Sequence, residues 1–129
     1  MEMQMTGSIV FLPVTPAVPF LVTEVPWPMQ LELQQKLVGG YVAPFTVLPG
    51  LVGWCNEDGR AFDLLPNVLA TLTCERVLLG NVFMTGGFGW HGREDWRPIP
   101  AALAAALVED GATSATIDEV LEAVNGKAT

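Results

Sequence analysis

Three short constellations in the sequence carry side chains capable of chemistry. Gly87, Gly89 and Gly92 spell G-x-G-x-x-G after a strand-like run, the spacing that lets backbone N–H groups approach a pyrophosphate at the start of a helix. The residues that follow, Arg93-Glu94-Asp95-Trp96, run into Pro98 and Pro100. No βαβ pattern surrounds them, so a loop is expected in place of the helix. His91 is the only histidine, with Glu94 and Asp95 three and four residues on, as a metal on a helix face would require. Glycines 89 and 92 oppose that helix, and a solvated loop histidine is the plainer reading. Cys55 and Cys74 lack a C-x-x-C partner and read as buried, inert thiols. Glu57 and Asp58 are adjacent carboxylates in a turn and face different ways, unlike an acid/base pair. Ser8 and Ser114, the only serines, sit in no nucleophile elbow. No reaction centre, metal or cofactor is therefore expected, and the chain reads as a non-enzyme.

Recognition chemistry is better represented. Between Phe88 and Arg97, the aromatics Phe88, Trp90 and Trp96 interleave with His91, Arg93 and Arg97. Aromatic faces beside guanidinium groups stack on and neutralise a base, a nucleotide or an acidic peptide, and Trp and Arg dominate protein hot spots. A nucleotide-like small ligand would be held by Tyr41, Asn67, Trp90 and Arg93. The plain alternative buries the tryptophans under the last helices and pairs the arginines with Glu94, Asp95 and the acidic C-terminal residues.

The 129 residues are half apolar, enough for one domain with a real core. Six Lys plus Arg against fourteen Asp plus Glu leave a net charge of −8, the wrong sign for gripping nucleic-acid phosphates or anionic lipid. The acids are unevenly spread: residues 101–129 hold Glu109, Asp110, Asp118, Glu119 and Glu122 against Lys127 alone. Such a run is ordinarily a solvated helix face. Two cysteines suit a reducing cytoplasm. Glu2, the absence of an early basic residue and prolines 13, 16 and 19 argue against a signal peptide. No stretch reaches the roughly 18 apolar residues of a membrane span. A soluble, unexported cytoplasmic protein is expected.

The positioning elements follow from pattern. Ser8–Leu12 and Phe20–Val25 read as two strands separated by proline-rich punctuation. Pro28 opens a helix to about residue 38, with Met29, Leu33 and Leu37 at i+4 spacing, a Glu32–Lys36 pair, and Gly39-Gly40 as its stop. Tyr41–Leu48 and Leu51–Cys55 form a hairpin around Pro49-Gly50, Pro44 marking an edge strand. Asn67 caps a short helix over about 67–73, with Leu69 and Leu72 facing inward. Arg76–Leu79 and Asn81–Thr85 are one strand interrupted at Gly80, or a small hairpin, and 86–96 is a loop. Ile99, Leu103 and Leu107 mark a helix stopped by Gly111. Thr116-x-x-Glu119 is a capping box opening a last helix, striped by Ile117, Val120, Leu121 and Val124 and ended by Gly126 and Lys127. The expected fold is α+β: a small, mainly antiparallel sheet with a packed helix, as an 8–97 body, and two C-terminal helices over 98–126 packed on it.

Gly39-Gly40-Tyr41, Asn56-Glu57-Asp58-Gly59, Leu65-Pro66-Asn67 with Ala70, and Gly80-Asn81-Val82 through Thr85-Gly86 occur in that order. Over residues 8–87 this succession resembles the family of small phage, plasmid and bacterial proteins called domain of unknown function 3846. The resemblance implies a mobile-element origin and a compact α+β body, and brings no activity with it. The functional expectation is a phage or mobile-element accessory protein that binds and modulates a host factor through its acidic surface or the 88–97 segment. The alternatives are a small-ligand or nucleotide-sequestering module and a structural homo-oligomeric subunit.

Overall fold

A computed structural model describes residues 6–14, 20–27, 29–48, 50–59, 63–88 and 95–124. Seven strands form one sheet in the order β3-β4-β5-β1-β2-β7, with β6 pairing the far end of β5. In chain order these are β1 (Thr6–Leu12), β2 (Leu21–Pro26), β3 (Val42–Leu48), β4 (Leu51–Asn56), β5 (Val82–Phe88), β6 (Asp95–Arg97) and β7 (Thr113–Ser114). The helices are α1 (Leu31–Val38), α2 (Val68–Cys74), α3 (Ala101–Glu109) and α4 (Ile117–Val124). All pairings are antiparallel except β2 with β7. The α+β class read from the sequence is the class observed.

Both faces of the sheet are covered. Ile9, Phe11, Leu21, Val25, Trp54 and Phe83 pack with Leu37 and Val38 of α1 and Val120 of α4 on one face. Val10, Leu12, Val22, Phe45, Val82 and Met84 pack with Ala70 of α2 and Ala104 of α3 on the other. That is why Ile9–Leu12 is an unbroken apolar run: a strand buried on both sides has no face to make polar. The C-terminal segment thus helps build both cores, α3 on one side and α4 on the other.

Several local expectations change. Met29 is buried but precedes α1, which starts at Leu31 and ends at Gly39 in the left-handed conformation (φ 80°). Leu72 points to solvent at 75% exposure, and Ala70 is the buried α2 residue. A helix of seven residues on a sheet edge has room for one narrow contact stripe. Arg76–Leu79 is not a strand; Leu79 makes a single bridge to Pro66 and Gly80 turns the chain at φ 79°.

The expected 86–96 loop is largely a hairpin, since β5 continues through Phe88 and β6 returns beside it. The β1 and β5 strands part beyond Val10 and Met84. Arg97 then pairs with Gly86, and Ile99 bridges to Ser8. Glycine is needed where this insert enters, because a Cβ on Gly86 would lie 2.8 Å from the Pro98 carbonyl oxygen. β3 is the sheet edge that Pro44 required.

Candidate functional site: a cleft at the β2 edge

Asn67 shows how a sequence-selected polar residue can serve the fold. It is fully buried, and Nδ2 donates to the carbonyls of Leu12 and Gly80, both at 2.9 Å. Its Oδ1 accepts from the Ala70 N–H at 2.9 Å, capping α2. Both amide hydrogens are spent on backbone, leaving none for a ligand. Tyr41 is 67% exposed on the α1–β3 connection. Trp90, His91 and Arg93 lie outside the described residues, as do Gly89, Gly92 and Glu94. Of Phe88 and Trp96 only the backbone is described, at the paired ends of β5 and β6. Arg97 is exposed on β6 and is engaged in an interaction of its own. The G-x-G-x-x-G run is followed by a strand, so it lacks the helix N-terminus that holds a pyrophosphate.

The thiols are half-buried and occupy the α2–α3 face. Burial pushes both above the ordinary thiol value, and the Arg76 guanidinium opposes that rise only in part. Arg76 itself lies 4.9 Å over the Phe45 ring. Cys74 borders a cavity of about 210 Å³ whose walls include Val10, Phe20, Met84, Ile99 and Leu107. Among the described residues, no three His, Cys, Asp or Glu side chains gather as a metal site needs.

A larger cleft, about 610 Å³, opens on the other side of α3. Its sheet wall is Ser8, Val22, Thr23 and Glu24, and α3 presents Ala104, Ala105 and Val108. Ser114 through Ile117, with Glu119, close it from β7 and α4. Both serines of the chain therefore meet in one depression, without imidazole or amine among its described lining residues.

The α4 wall is anchored locally. Thr116 Oγ1 accepts from the Glu119 N–H at 3.2 Å, and Glu119 Oε1 accepts from the Thr116 N–H at 3.0 Å. Those two bonds hold the Glu119 carboxyl below its usual value, so it stays charged. The Thr23 hydroxyl has no hydrogen-bond partner, although the residue is only 2% exposed.

Sequence reasoning found Thr116 and Glu119 as a cap but not as a wall. Thr23, Glu24 and Ser114 gave no local signal, because their meeting depends on parallel pairing between residues 21–22 and 113–114.

Among the described residues, no helix is long and apolar enough to cross a membrane. A family model described as Domain of unknown function (DUF3846) matches residues 9–112. The match runs beyond the 8–87 stretch to take in the β5–β6 hairpin and α3. No curated protein and no solved structure matches the chain.

Proposed function

Since the chain belongs to the family Domain of unknown function (DUF3846), whose description names no activity, we propose from geometry that it works by recognition, as a non-catalytic accessory protein that binds a basic partner protein in the cytoplasm. For a phage or mobile-element protein that partner is a host factor. The observation that carries the reading is the uncompensated acidic end. Glu24, Glu109, Asp110, Asp118, Glu119 and Glu122 are all exposed around α3, α4 and the end of β2. Residues 101–124 contain no Lys or Arg, and the ion pair seen among the described residues, Lys36–Glu32 at 3.4 Å, is on α1. Like charges gathered without counter-charge raise the on-rate for a basic surface and discriminate against acidic ones.

The test is capture of host proteins by the wild-type chain and by a variant carrying Glu109→Gln, Asp110→Asn, Asp118→Asn and Glu122→Gln. Capture of a basic protein that weakens steeply with salt and disappears in the variant is the expected result. Capture unaffected by both overturns the reading.

A homo-oligomeric subunit is a second reading, favoured by one observation. Leu65, Val68, Leu72 and Val77 stand 60–75% exposed on and around α2. Sedimentation of the wild type and of Leu72→Glu decides it, a dimer lost in the variant being required.

A further inference from the structure

Strand geometry makes one stretch of backbone in the cleft available for pairing. Along a strand, alternate residues direct their N–H and C=O groups to opposite edges. In β2, the carbonyls of Phe20 and Val22 accept from the N–H groups of Thr113 and Ala115, each at 2.9 Å, which assigns this alternation to the outer edge. On the inner side β1 shows the complementary pattern: the Ser8 carbonyl turns away from β2 to accept from Ile99 at 2.8 Å. Glu24 is the next outward residue of β2. The pairing with β7 ends at Val22, and at Thr116 the chain departs into the α4 cap, so no described strand reaches Glu24.

That edge lies inside the cleft, between the small side chains Ala104, Ala105 and Val108 of α3 and Ile117 and Glu119 of α4. The buried, unpartnered Thr23 hydroxyl lies in the same wall. We propose that the β2 edge at Glu24 takes a short extended segment of a basic partner protein as an added strand, its backbone pairing with Glu24 and its Lys or Arg side chains meeting Glu24 and Glu119. The occupant is chosen by charge: both cleft carboxylates are exposed, and Asp118 and Glu122 stand on the same helix as Glu119. Apolar side chains alternating with the basic ones face Val108 and Ile117. Strand addition suits such a site, because main-chain bonds supply affinity and alternate side chains supply selectivity. The inference rests on the recognition reading above and specifies its mode.

The probe is a blocked peptide of four Lys-Val repeats, titrated into the ¹⁵N-labelled full chain. Two control peptides carry backbone N-methyl groups, one on every lysine nitrogen and one on every valine nitrogen. Only one of the two patterns points its N–H groups at β2. The expected result is a downfield shift and exchange protection of the Glu24 amide, with about ten-fold weaker binding for one methylated peptide and unchanged binding for the other. Glu24→Pro, which removes the outward N–H at an edge position that tolerates proline, weakens binding beyond Glu24→Gln. If that variant fails to fold, the methylated pair decides.

Equal binding of all three peptides, or binding that leaves the Glu24 amide unmoved, overturns strand addition. Electrostatic recognition then stands or falls on the four-site charge variant alone. No binding of the parent peptide, or a Glu24 amide already protected in a self-associated dimer, also overturns the proposal.

Discussion

Asn67 reaches across 55 positions of sequence to donate a 2.9 Å hydrogen bond to the Leu12 carbonyl at the end of β1. The same amide nitrogen holds the Gly80 carbonyl, and the amide oxygen caps α2. One side chain thus ties together the β1 terminus, the turn before β5 and the first turn of a helix.

Replacing Asn67 with Ala leaves two carbonyls and one N–H buried without partners, a loss on the order of 3 kcal/mol. Asn67→Asp is at least as damaging, since a carboxylate cannot donate to either carbonyl. Urea unfolding measures both. A change under about 0.5 kcal/mol in Asn67→Ala would show that Asn67 does not hold the fold and would return it to the list of ligand contacts.

The Thr116–Glu119 cap has a defined pH dependence. Because Glu119 is held below its ordinary value in the folded chain, its contribution is complete above the unfolded carboxyl value and is lost as pH falls through the folded one. Amide exchange across α4 should therefore accelerate on acidification in the wild type. Glu119→Gln keeps an acceptor oxygen without the titration, so its α4 exchange loses that acid-dependent step. Thr116→Ala removes the other half of the cap, at a cost of about 1 kcal/mol. Exchange in α4 indifferent to acid in the wild type would contradict the reciprocal cap.

Cys55 and Cys74 should react with iodoacetamide more slowly than a free cysteine at neutral pH, and accelerate only above the ordinary thiol range. Arg76 is the group opposing burial, so Arg76→Gln should shift both profiles to still higher pH. A thiol faster than free cysteine near neutrality would contradict this and restore nucleophilic chemistry as a candidate function.

Much of the local architecture was legible in the chain. Gly39 closes α1, Asn67 caps α2, Pro44 marks an edge strand and Thr116-x-x-Glu119 opens α4, because each depends on backbone geometry within a few residues. The faces of the short helices were less legible. Leu72 looks internal by spacing yet is exposed, since burial is decided by the element that happens to lie opposite.

The amino-acid sequence by itself determined the α+β class, the doubly buried β1 and the one-sided charge of the last two helices, all of which follow from side-chain type and short-range spacing. Only the tertiary structure decided that β7 ends two residues into its pairing with β2, and that Ser8, Thr23, Glu24 and Ser114 surround one cleft. The physical reason is the range of the interactions. A cap or turn closes between near neighbours, whereas a two-residue parallel ladder joins segments about ninety positions apart. Where that ladder stops depends on how α3 and α4 pack on opposite faces of the sheet.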